Sequence, residues 1–256
     1  MTSAASPGML GRMCRRLARP WLLGALLLGG CTSGTETGNP SFGAALSYTG
    51  YSSQPDAIGV RQPGSRATVD NAWFDLEQVT VAQRGACGID GDEVFEIPAL
   101  GLGDHAAGNH NSTVFEGRPG AFCEVELPLA RVTESGAPVA LEGHALLLEG
   151  TLADGTAFSI VSDATPTVVL SAAAGGFELD AASPDALVAF DFASWLGDID
   201  FDGAQRKNGE LVISVAENSE LLAAFDARLA SGIALYRDRD ADGVLDAKPE
   251  LLARAR

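Results

Sequence analysis

Positive charge is scarce in this 256-residue chain, where 17 lysines and arginines stand against 34 aspartates and glutamates. All of the acidic side chains follow residue 30 while four of the basic ones precede it, so residues 31–256 carry 21 net negative charges. Tight nucleic-acid binding depends on cationic side chains releasing counterions, and a body this acidic is repelled by phosphate backbones. That argues against nucleic acid as a partner. C-x-x-C, G-x-S-x-G, P-loop and H-E-x-x-H patterns are also missing, which leaves thiol-redox, serine-hydrolase, nucleotide-dependent and zincin readings without positive support. Beyond the first thirty residues no apolar run reaches the ~20 residues that a spanning helix needs. What remains is 46% hydrophobic and 20% charged over the whole chain, a composition that folds and gives one large or two small domains.

The N-terminal stretch has a basic segment with Arg12, Arg15, Arg16 and Arg19, then the apolar run Trp21 to Leu28, too short to span a bilayer. It reads as a signal peptide over residues 1–30. The run ends in Leu28-Gly29-Gly30-Cys31, which resembles the bacterial lipobox. The resemblance implies that Cys31 is acylated and becomes the N-terminus, so the partner of that end is a membrane reached through a lipid anchor. Several acyl chains hold firmly where one is marginal. Thr32 follows the cysteine where an inner-membrane lipoprotein often has aspartate, and by the same resemblance the outer membrane is the expected address. Residues 31–40 read as a flexible tether rich in glycine, serine and threonine. Their TETGNP segment is similar to that of uncharacterised exported bacterial lipoproteins.

From Phe42 to Val215 short runs with strand character are punctuated by Gly, Pro, Asp and Asn about every ten residues. Expected strands include Ala67–Ala82, Phe122–Leu129, Thr167–Leu170, Phe177–Leu179, Ala186–Phe192 and Glu210–Val215. Asp154-Gly155 predicts a hairpin between Ala145–Leu152 and Thr156–Val161. The expectation is a mainly β domain over 41–216, an antiparallel sandwich or open barrel. Residues 217–256 add a helix from Asn218 or Ser219 to Ala230, with Leu221, Leu222, Phe225 and Leu229 on one stripe. A short strand at Ile233–Tyr236 and an acidic loop follow, packed on the β domain.

Four groups of residues carry chemistry. Cys87 and Cys123 remain once Cys14 leaves with the leader and Cys31 is acylated, and in an exported protein they are expected to pair. Asp238, Asp240, Asp242 and Asp246 occupy positions 1, 3, 5 and 9 of a D-x-D-x-D-G loop, with Gly243 at 6 for the turn and the main-chain carbonyl of Val244 at 7. Such a pattern gathers the oxygen ligands calcium requires. Pro249 stands where the bidentate twelfth ligand belongs, so Glu250, one residue late, completes the candidate set. Asp198, Asp200, Asp202 and Gly203 repeat the spacing with Glu210 in the corresponding place, but Ile199 and Phe201 between them read better as an edge strand with one wet face. Asp104, His105 and His110 lie in a segment that reads as a glycine-rich surface loop.

The sequence thus points to a membrane-anchored envelope lipoprotein, a non-catalytic binding or structural module for a protein or glycan ligand, with a weak calcium site. The alternative is a carbohydrate-active enzyme using two of Asp75, Glu77, Glu124 and Glu126 as paired acid and base in a sheet groove.

Overall fold

The computed structural model describes residues 41–84, 87, 93–106, 111–117, 120–133, 136–173 and 175–255. The expected signal peptide, tether, Cys31 and His110 lie outside the described residues. Sixteen strands and two short α-helices follow one another. The first eight strands are β1 (Phe42–Tyr51), β2 (Ile58–Val60), β3 (Ala67–Leu76), β4 (Val79–Arg84), β5 (Glu93–Ile97), β6 (Gly101–Asp104), β7 (Asn111–Gly117) and β8 (Ala121–Ala130). Next come β9 (Leu146–Leu152), β10 (Ala157–Ser162), β11 (Thr167–Ala172), β12 (Phe177–Glu178), β13 (Ala186–Asp191) and α1 (Phe192–Leu196). The chain then gives β14 (Leu211–Ile213), α2 (Ser219–Asp226), β15 (Ile233–Arg237) and β16 (Leu251–Ala255).

The strands form one mixed, open sheet whose main path runs β14-β10-β9-β3-β8-β11-β16-β15-β13-β1-β7. It does not close into a barrel. Most neighbours are antiparallel, as expected, but β1 with β13, β2 with β3 and β10 with β14 are parallel. The two halves of the sheet join at the far end of β8, where only Asp75↔Ala130 and Leu76↔Leu129 pair. The segment 67–82, read as one strand, is therefore two: exposed Glu77 and Gln78 carry the chain from β3 to β4, which pairs with β8 in the other half. Within β3 a bulge between Val69 and Asn71 flips the pleat, so that Val69, Ala72, Phe74 and Leu76 all face inward. This is why the alternation is only partial in sequence.

One large apolar core fills the interior, with Phe74, Phe190, Phe192, Trp195 and Phe225 fully buried. The run Ala186–Phe192 does not end as a strand. The carboxylate of Asp191 accepts hydrogen bonds from the Ala193 and Ser53 amides at 3.1 and 2.9 Å and from the Ser53 and Ser194 hydroxyls at 2.6 and 2.8 Å. An oxygen that captures the first free amide of a turn starts a helix, and α1 carries Trp195 into the core, where its indole N–H donates to the Leu229 carbonyl at 2.9 Å. No helix among the described residues is long and apolar enough to cross a membrane.

The chain's end is woven into the sheet. Expected helix α2 is shorter than its apolar stripe, with Leu222, Phe225 and Leu229 buried and Leu221 partly so. Asn218 does not cap it, because its amide bonds Gln205 and Val212. Beyond it β15 and β16 take central places between β13 and β11.

Cys87 and Cys123 form the expected disulfide, with Cα atoms 5.4 Å apart and a sequence separation of 36. Gly176, at φ +78°, lies against the Cys87 sulfur, which would sit 2.6 Å from any β-carbon placed there. The bridge closes a loop whose lost unfolded-state entropy corresponds to about 3 to 4 kcal/mol. Replacing both cysteines by alanine is expected to lower the unfolding free energy in denaturant by about that amount. An unchanged midpoint would show that the bridge constrains nothing.

Candidate metal centre

β15 and β16 are neighbours joined by residues 238–250, and the acidic loop is that connection. The first aspartate is fixed by the sheet: the Asp238 amide donates to the Asp185 carbonyl at 3.1 Å, one step beyond the Ala186↔Arg237 pair. Past it the chain must curl sharply, and Ala241 and Gly243 both adopt the left-handed conformation, at φ +57° and +68°. The curl brings the Gly243 amide to Asp238 Oδ2 at 3.1 Å and the Val244 amide to Asp242 Oδ1 at 2.8 Å.

The result is a carboxylate cluster. One oxygen from each of Asp238, Asp240 and Asp242 lies within 4.8 Å of the others. Calcium–oxygen bonds of 2.3–2.6 Å put two ligands of one ion no more than about 5 Å apart, so these three oxygens fit a shared calcium ion. Asp238 is only 4% exposed, and its Oδ1 accepts no well-formed hydrogen bond, while the Gly243 and Ala241 amides lie against the carboxylate and favour its charged form. Burial, reinforced by the charges of Asp242 and Asp240, pushes its carboxyl above the usual carboxylate range. A buried carboxylate oxygen without a donor is costly, and a cation, a water or a proton relieves that cost.

The rest of the expected ligand set lies apart. Glu250 receives Arg239 at 2.7 Å and Arg237 Nε at 3.1 Å, and the two guanidinium groups hold its carboxyl below the usual range. Asp246 is exposed and stands outside the three-oxygen cluster, and the side chain of Val244 points to solvent.

The earlier aspartate repeat is a turn and not the edge strand its alternation suggested. Ile199 and Phe201 are both buried, in the loop that leaves α1, and their insertion into the core bends the chain. Asp198 pairs with Arg228, and Asp200 Oδ1 accepts from the Gly203 amide at 3.1 Å. Asp200 borders an open hollow of about 500 Å³ with Gln205, Asn218 and Glu220, but the acids do not converge there as they do after β15.

His105 is likewise not on a surface loop. It is fully buried, stacked on Phe74 with ring centres 4.1 Å apart and near Phe190 and Tyr48. Asp104, on β6, spends its carboxylate on the Ala72 and Ala106 amides and on Arg61. The apolar neighbours of the imidazole were invisible in the glycine-rich segment because they come from β1, β3 and β13.

The four carboxylates of the enzyme reading stand on the solvent side of their strands. Glu124 and Glu126 alternate with buried Cys123, Val125 and Leu127, Asp75 with Phe74 and Leu76, and Glu77 is exposed at the crossover. None of them lines the hollow beside Asp200 or the groove described next.

That groove, about 350 Å³, holds a pair with no signature in the sequence. His144 Nδ1 lies 2.6 Å from Asp163 Oδ1, with Arg131 at 3.4 Å from the same oxygen, and Ser214 lines the same wall. The hydrogen bond to His144, helped by Arg131, lowers the Asp163 carboxyl. These residues share no motif; the β10–β14 register and the turn before β9 bring them together. Ser214 Oγ accepts the Glu217 amide at 3.2 Å.

No family model matches the chain, and neither does any curated protein. A solved structure described as an NMR structure of a protein from Eubacterium rectale is similar at 12% identity, over 70% of this chain and 91% of that one. Its TM-score of 0.22 is too low to carry any argument about fold or function.

The buried histidine makes stability depend on pH. Desolvation lowers the folded-state pKa of His105 from 6.5 to about 4, against a smaller opposing effect of the Phe74 carbonyl. The unfolded chain takes up the proton first, so this contribution is present above pH 6.5 and is lost as pH falls towards 4, about 3 kcal/mol in all. Denaturant unfolding of the wild type should therefore weaken over that window by about 3 kcal/mol more than unfolding of His105→Leu. Parallel pH profiles would show that His105 is protonated in the folded core.

Proposed function

We propose that this protein is an exported, lipid-anchored envelope lipoprotein whose β body serves as a non-catalytic binding or structural module held by a weakly bound calcium ion. The observation that carries the calcium reading is Asp238 Oδ1, buried and without a donor, beside the carboxylates of Asp240 and Asp242. Asp238, Asp240 and Asp242 supply the acidic ligands, with the Val244 carbonyl and water filling the shell. Glu250 stays with its arginines. Three carboxylates without a bidentate glutamate belong with extracellular-type sites, with Kd of about 10⁻⁴ to 10⁻³ M. The lipid anchor rests on Leu28-Gly29-Gly30-Cys31 and the basic and apolar segments before it. The module reading is favoured over a glycosidase by the outward positions of Asp75, Glu77, Glu124 and Glu126 on their strands, none of which lines the hollow at Asp200 or the groove at His144.

Calorimetric titration is expected to give one calcium per chain, and calcium at about ten times Kd should raise stability by about 1.4 kcal/mol, or a few degrees in Tm. Asp240→Asn combined with Asp242→Asn should abolish the rise, while Asp198→Asn combined with Asp200→Asn should leave it intact. Absence of calcium heat at several millimolar would refute the site, and loss of the shift in the second variant would move it to the earlier turn. In cells, labelled palmitate should enter the wild type and not Cys31→Ser; equal labelling of both would remove the anchor from the account.

A further inference from the structure

We infer that the cation at Asp238, Asp240 and Asp242 also governs closure of the first strand of the body, acting through Asp185; the inference rests on the calcium reading above. Asp185 sits between two ladders and serves both. Its carbonyl receives the Asp238 amide at 3.1 Å, extending the β13–β15 pairing by one step. Its carboxylate receives the Ala45 amide at 2.7 Å, one position before Leu46↔Ala186, where the parallel β1–β13 pairing begins. The side chain thus replaces the main-chain acceptor at the base of β1, the strand that follows the tether in sequence.

Opening the acidic loop and opening the base of β1 are consequently linked. Asp238 Oδ1 is buried without a well-formed hydrogen bond beside two further carboxylates, so swinging the start of the loop outward to hydrate it costs less without a cation than with one. That motion withdraws the Asp238 amide from Asp185 and loosens the residue whose carboxylate holds Ala45. With a cation bound the loop opens only after the ion leaves, so the open population shrinks by the factor 1 + [L]/Kd. Asp185 is not a ligand; it is the positioning residue that passes the effect on. Closure of β1 is then set by the calcium concentration outside the cytoplasm.

Amide exchange of the full chain, followed by NMR with and without calcium chloride, tests this. At about ten times Kd, the Ala45 and Asp238 amides should exchange about tenfold more slowly than without calcium. Asp185→Ala should bind calcium with unchanged Kd and keep the response at Asp238, whose acceptor is main chain, but lose it at Ala45. Asp185→Asn, which retains an acceptor oxygen and serves as a second variant if the alanine form folds poorly, should restore the response at Ala45. Calcium binding with no response at Ala45 in the wild type, or a full response in Asp185→Ala, would overturn the coupling alone. Absence of calcium binding in titration would overturn the coupling together with the calcium reading.

Discussion

The middle of this sheet is supplied by the last two strands of the chain. β15 and β16 lie between β13 and β11, so the segment β13-β1-β7 is attached to the rest of the sheet path through them. They are brought together by a connection carrying Asp238, Asp240, Asp242 and Asp246, and the first of these is held in place by its amide, which extends the β13 ladder, with its side chain buried. Main-chain pairing therefore fixes the position of a residue whose buried carboxylate lies close to two others. Sheet geometry and electrostatics conflict at that point, and the proposed role of a divalent cation is to resolve the conflict.

The protein meets the same difficulty elsewhere with its few cations. Glu250 is held by Arg237 and Arg239, Asp198 by Arg228, Asp154 by Arg206 and Asp104 by Arg61. With 13 basic side chains against 34 acidic ones after residue 30, these arginines cannot neutralise every acid. Exposed acids are tolerated because water screens them. Asp238 has no such recourse, and this separates the second aspartate loop from the first, where Asp198 and Asp200 face outward and Ile199 and Phe201 carry the burial.

Local patterns were legible in the sequence, and long-range ones were not. The Asp154-Gly155 hairpin, the pleat of β8, the Cys87–Cys123 bridge and the gathering of Asp238, Asp240 and Asp242 all follow from neighbours a few residues apart or from the scarcity of cysteine. The crossover at Glu77–Gln78 was hidden because both flanking strands keep an apolar face, and α1 because Phe192–Leu196 prolongs the apolar run of β13, which masks the cap that Asp191 places on the Ala193 amide. β16 was missed since Leu251–Ala255 is short and interrupted by arginine; only pairing on both sides makes it a strand. Glu250 has the spacing of a near-miss ligand, yet its place is set by Arg237 and Arg239, which no loop template weighs. His105 owes its burial to rings from distant strands.

In the proposed reading a cation completes the coordination of a buried carboxylate. A crystal structure of the protein grown in 10 mM calcium chloride, with anomalous scattering recorded to identify the ion, addresses it most directly. One calcium is expected, bonded to Asp238 Oδ1 and to carboxylate oxygens of Asp240 and Asp242 at about 2.3 to 2.6 Å, with Glu250 still on its arginines. Asp238 Oδ1 bonded instead to a water or a main-chain amide, with no anomalous peak among the three aspartates, would contradict it.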